Sequence, residues 1–160
     1  MRPPDERGFS LLETTIALAL VAIAVCSLVQ LVLASTNSNA EARRLSLASI
    51  LARQKVEELR ALGPDLSPQA AASLDANTAG ICDFLNEYGR SLGTGQTPPP
   101  GTVYVRRWSI VPLPDDAADS VVLQVVVVPT VWHGATLPAG ADPRLFGGVQ
   151  LVTVKTRRPA

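Results

Sequence analysis

Residues that commonly carry chemistry are scarce in this sequence. There is 1 histidine, His133, so a metal site built on several imidazoles is excluded by count, and a nucleophilic triad would have to use a residue beside Trp132 in a stretch bounded by Pro and Gly. The patterns G-x-x-x-x-G-K and C-x-x-C are absent, which removes the phosphate cradle and the redox dithiol; G-x-S-x-G occurs once, from Gly89 to Gly93, without the strand-to-helix context that a nucleophile turn needs. Asp83, Asn86 and Glu87 lack the alternating oxygen ligands of a calcium loop. The chain is therefore expected not to be an enzyme and to hold neither cofactor nor metal. The opposing reading, a membrane-anchored periplasmic hydrolase, would need His133, the one histidine.

Aromatics are also few, at 4 % against 47 % hydrophobic residues, so the apolar content is mostly Ala, Val and Leu rather than the rings that usually anchor a core. Basic and acidic residues balance at 14 each with no dense Lys/Arg run, and no direct nucleic-acid partner is expected. The 2 cysteines lie in unlike surroundings, Cys26 inside an apolar block and Cys82 beyond it. They are expected to remain unpaired, Cys26 as a small hydrophobe and Cys82 as a free thiol.

What the sequence does have is one long apolar run. From Thr14 to Ser35 it reads T-T-I-A-L-A-L-V-A-I-A-V-C-S-L-V-Q-L-V-L-A-S, uncharged and interrupted only by Gln30. Some 20 residues at ~1.5 Å each span about 30 Å, the thickness of a bilayer's hydrocarbon core, and a helix satisfies its own backbone there. A buried helix of a soluble protein would need a larger domain around it. A cleavable secretory signal shares the basic start, but its apolar core is shorter than this run. Arg2 and Arg7 before the run balance Arg43 and Arg44 after it, so flanking charge does not orient it.

Directly before the run stands R-G-F-S-L-L-E, Arg7 to Glu13. Gly8 would let a protease approach an extended backbone closely. Glu13 is the odd residue, because a carboxylate at the edge of a hydrocarbon layer is costly without a positive partner. Ser10 and Glu13 also have the S-x-x-E spacing of a capping box, a role compatible with any other. This segment resembles the type IV prepilin family. The resemblance implies cleavage between Gly8 and Phe9 by a prepilin peptidase on the cytoplasmic side, N-methylation of Phe9, and an assembly role for Glu13 through pairing with a neighbouring subunit's N-terminal amine. The partners it implies are other pilin or pseudopilin subunits and an inner-membrane assembly platform.

After Ser35 the chain turns polar without a Gly or Pro to stop a helix, and the pattern is expected to continue to Leu62, before Gly63-Pro64. Leu45, Ala48, Ala52, Val56 and Leu59 recur at steps of three and four, with Arg53, Glu57 and Arg60 pointing elsewhere. Residues 47–62 resemble the same helix in minor pilins of the PilV kind and in the I-type minor pseudopilin of type II secretion.

Beyond the helix, residues 63–101 read as connection, rich in Pro, Gly, Ala and Ser. Within them I-C-D-F-L-N-E-Y-G-R-S-L-G reads either as a hairpin turning at residues 86–89, with Gly89 at positive φ, or as a short helix. Three strands are expected at 103–111, 121–128 and 149–155, forming an antiparallel sheet. The first places Tyr104, Arg106, Trp108 and Ile110 on one face, and the second is apolar almost throughout, as a central strand covered on one side by the helix could be. Trp132 and Phe146, in the long loop before the third, either cover the sheet or meet a neighbour. Y-V-R-R-W-S-I and V-T-V-K-T-R resemble the end of some minor pilins, and the missing C-terminal cysteine pair departs from major ones.

The organisation expected is a leader at 1–8, a transmembrane or filament-core helix at 9–35, its amphipathic continuation at 36–62, a connection at 63–101 and a sheet domain at 102–160. The fold class is α+β, a long N-terminal helix on a small antiparallel sheet, pilin-like. The function implied is a minor structural subunit of a bacterial type IV pilus or type II secretion pseudopilus, first in the inner membrane with its C-terminal domain in the periplasm and then in the filament. The alternative is a single-pass anchored periplasmic binding domain that does not polymerise.

Overall fold

The computed structural model describes residues 10–62, 74–114, 116, 120–130 and 142–156. Two compact units divide the chain, residues 1–40 and 41–160. A single α-helix, α1 (Leu11–Ala61), runs through 51 residues without a Gly or Pro, as the uninterrupted Ala/Leu-rich sequence requires. At its start Ser10 Oγ accepts a hydrogen bond from Leu12 N at 3.3 Å, the bond of an N-cap. At its end Lys155 Nζ donates to Arg60 O at 2.8 Å and also to Leu62 O. A cation there satisfies terminal carbonyls and complements the helix dipole.

In the second unit, the end of α1 packs on a five-stranded antiparallel sheet, the α+β arrangement expected of a pilin-like fold. The strands are β1 (Cys82–Leu85), β2 (Ser91–Gly93), β3 (Tyr104–Pro112), β4 (Ser120–Pro129) and β5 (Val149–Thr156), in the order β2-β1-β3-β4-β5. Residues 82–93 are thus a hairpin and not a short helix. Its turn is tied by Asn86 Oδ1, which accepts from Tyr88 N at 3.0 Å and Arg90 N at 2.9 Å, while Gly89 takes φ +74°. The segment 63–101, read as connection, therefore contributes two strands to the sheet. β3, not the more apolar β4, is the central strand.

The alternation along β3 divides the core into two layers. Tyr104, Trp108 and Ile110 face α1 together with Leu85, Leu123, Val125 and Val127, against Ala48, Leu51, Ala52, Val56 and Leu59. Leu45 stays exposed, so the helix buries Leu51 and Lys55 in a stripe that begins one turn later than its periodicity suggests. On the other face Phe84, Cys82 and Val105 form one cluster. Val126 and Val128 form another, covered by Leu74 and Phe146. Phe146 thus covers the sheet; Trp132 lies outside the described residues. Phe146 ends a short 3-10 helix, η1 (Pro143–Phe146), capped by Asp142 Oδ1 accepting from Arg144 N at 2.9 Å.

Candidate functional site

The first unit contains the apolar part of α1. From Leu11 to Leu33 every large aliphatic side chain is exposed. At about 1.5–3 kcal/mol for each such side chain left in water, this surface requires a non-aqueous environment or other protein. By length and composition α1 is able to cross a membrane.

Its polar groups are few and mostly satisfied by the helix itself. Thr15 Oγ1 donates to Leu12 O at 2.8 Å, Ser27 Oγ to Ile23 O at 2.9 Å and Thr36 Oγ1 to Leu33 O at 2.9 Å. Hydroxyls bonded back to the preceding turn are compatible with a hydrocarbon surround. Glu13 is different. It lies in the first turn of α1, where the positive end of the helix dipole favours a carboxylate by about 0.3–1 kcal/mol. The capping box suggested by S-x-x-E is half formed: Ser10 caps Leu12 N, but among the described residues no group donates to or pairs with the Glu13 carboxylate. Gly8 and Phe9 lie outside the described residues, as do Trp132 and His133.

A second constellation, which periodicity alone did not reveal, lies between α1 and the sheet. Arg106 Nη2 donates to Asp83 Oδ2 at 2.7 Å, and Arg106 Nη1 to Leu51 O at 3.2 Å. Lys55 Nζ stands 3.9 Å from the same Asp83 oxygen, 2.8 Å from Glu58 Oε1 and 3.8 Å from the centroid of the Trp108 ring. Such a cation over an aromatic face gains most when desolvated. Two signals in the sequence could have found it: Arg106 falls on the face of β3 shared with Tyr104 and Trp108, and Lys55 falls between Leu51 and Leu59 at four-residue spacing. Asp83 and Asn86 are engaged by this ion pair and by the hairpin turn.

The next residue along β3 does the same work on the opposite face. Arg107, almost wholly buried, donates to Asn77 Oδ1 through Nε at 2.9 Å and Nη2 at 2.8 Å, and to Leu74 O through Nη1 at 3.1 Å. Burial pushes its guanidinium pKa down from the ordinary value, while Cys82 and Asp75 oppose the shift. Cys82 is a free thiol, buried and hydrogen-bonded to Gly95 O at 3.0 Å. These groups are structural in geometry: each ties a neighbouring segment to the central strand. Comparison with family models, with characterised proteins and with solved structures returned no match.

Proposed function

We propose that this chain is a minor structural subunit of a bacterial type IV pilus or type II secretion pseudopilus, matured by cleavage between Gly8 and Phe9 and N-methylation of Phe9, and assembled through its N-terminal helix. The observation that carries this reading is an exposed apolar helix with one carboxylate, Glu13, in its first turn that no described residue pairs. After cleavage Glu13 becomes the fifth residue, and a neighbouring subunit's free N-terminal amine has the charge to pair with it. Pairing would recover the cost of a carboxylate at an apolar boundary only in the correct stagger between subunits. On this reading the precursor sits in the inner membrane with residues beyond the helix in the periplasm, and its partners are prepilin peptidase, the assembly platform and other subunits. Cleavage and methylation are done to the protein, and no enzyme activity is assigned to it.

The same helix would also serve a single-pass anchored binding domain that never polymerises. Intact mass after co-expression with a prepilin peptidase separates the two. Loss of residues 1–8 with gain of one methyl group is the expected result. An uncleaved chain favours the plain anchor, and cleavage near Ala34 would identify a secretory signal instead.

A further inference from the structure

Along the exposed stretch of α1 the hydroxyls turn back onto the helix, Thr15 to Leu12 O and Ser27 to Ile23 O. Gln30 has no such outlet. It is exposed, and among the described residues its carboxamide meets no hydrogen-bond partner. A carboxamide carries two N–H donors and an accepting oxygen, and hydrocarbon offers none of them water. Reaching for the membrane surface does not solve this. The uncharged run ends at Ser35, about 7.5 Å further along the axis, while helical side chains lean toward the N-terminus and carry the Gln30 amide the other way.

The amide also marks a line along the helix. Steps of three and four residues from it reach Cys26, Ile23 and Ala19 in one direction, and Leu33 and Asn37 in the other. This is the heptad spacing of two helices crossing at a shallow angle, with Gln30 and Asn37 one heptad apart. Ala19 and Cys26 are small enough for two backbones to approach. A group that both donates and accepts is its own complement. A second copy of the same chain, spanning the same bilayer in the same direction, brings its Gln30 to the same depth without any search for register. Glu13 flanks this line rather than lying on it, so two carboxylates are not set face to face.

We propose that α1 pairs in parallel with the α1 of a second copy of this chain, the two Gln30 carboxamides hydrogen-bonding to each other across the seam. Pairing rests on the reading of α1 as a membrane helix, which the filament subunit and the plain anchor share, and does not require a filament. Cys26 makes the pair visible. It is a free, exposed thiol one turn before Gln30 on the same line, whereas Cys82 is fully buried in the second unit.

The test uses membranes of cells that express the full chain and lack a prepilin peptidase, so that residues 1–8 stay on and no filament forms. Air oxidation with copper phenanthroline should join two copies through Cys26, identified by the mass of the linked peptide. Gln30→Leu only makes the span more apolar, so insertion is not at risk, and it should lower the linked yield by about tenfold at low expression. Gln30→Asn keeps the carboxamide and should retain the link. Moving the thiol to the opposite side of the helix, Cys26→Ser with Ala24→Cys, should abolish it. An undiminished link in Gln30→Leu, or an equal one from position 24, would overturn the proposal by showing contact that the amide does not direct. Cys26 joined to a different protein in place of its own copy would overturn it as well. A full-length, membrane-bound chain that gives no link defeats the pairing alone, whereas a chain cut near Ala34 defeats the membrane helix and the pairing together.

Discussion

Single atoms decide several positions, and for different reasons. Gly148 is required by space: a Cβ there would stand 2.8 Å from Pro143 O and 2.9 Å from Val127 O, backbone atoms that cannot rotate away. Gly148→Ala is expected to destabilise the second unit by about 1–3 kcal/mol, read as a lower melting temperature; an unchanged value would mean that the 3-10 turn is free to move. Tyr104 carries a pH effect. Burial raises its phenol pKa above the ordinary 10.0, and Arg44 only partly opposes this. A raised folded-state pKa favours the neutral phenol, so its contribution to stability is complete below about pH 10 and is lost as pH rises through the folded value. Tyr104→Phe should flatten the alkaline limb of a melting-temperature profile, and parallel profiles for the two proteins would contradict the assignment. Glu13 belongs to the proposed assembly step. Each 1.4 kcal/mol or so of lost pairing is about tenfold in an equilibrium, so Glu13→Ala is expected to insert and be processed normally but to enter filaments about tenfold less. Normal incorporation measured by immunoblot of sheared filaments would rule out the pairing role.

At the scale of elements, the central strand acts as a two-sided clamp. Consecutive arginines on β3 point to opposite faces, Arg106 toward α1 and Asp83, Arg107 toward residues 74–77. Arg107→Met should therefore speed amide exchange in the segment 74–80 by about tenfold for each 1.4 kcal/mol of lost hydrogen bonding, leaving the end of α1 protected. Exchange that rises equally in both places would show that the clamp is one cooperative unit. The three C-terminal strands were legible because β-branched runs are a local signal, and the helix because no Gly or Pro interrupts it, whereas N-E-Y-G left a hairpin and a short helix both open and β1 and β2 lay in a stretch read as connection. Order within the sheet was not legible either, since β4 is apolar on both faces without being central: Phe146 and Leu74 cover its outer side, and these come from distant sequence. Lys55 escaped for a related reason. With Glu58 three residues on it reads as a solvated helix-surface pair, whereas the second acid and the ring beside it, Asp83 and Trp108, are 28 and 53 residues away. Of the candidate site, the motif residue Glu13 and the apolar run were plain from the sequence. That its capping box is only half formed required the atomic arrangement at Ser10.

At the scale of the whole chain, the division into residues 1–40 and 41–160 separates two kinds of stability. The second unit has its own layered core, with α1 on one face of the sheet and Leu74 and Phe146 on the other, and every residue of the core clusters belongs to it. In the first unit the aliphatic side chains of α1 are exposed from Leu11 to Leu33, so its environment must be supplied from outside. Residues 41–160 expressed alone are accordingly expected to be soluble in water and to unfold in one cooperative thermal transition. The full chain is expected to fractionate with membranes and to need detergent for extraction, since tens of kcal/mol of apolar surface is at stake at about 1.5–3 kcal/mol per side chain. The diagnostic outcome is the behaviour of the shorter chain. If it aggregates or melts without cooperativity, the sheet draws stability from the preceding helix, and the two units are one folding body. If it melts cooperatively while the full chain stays in the membrane fraction, the sheet domain is the independent part and the apolar helix is the part that awaits a partner.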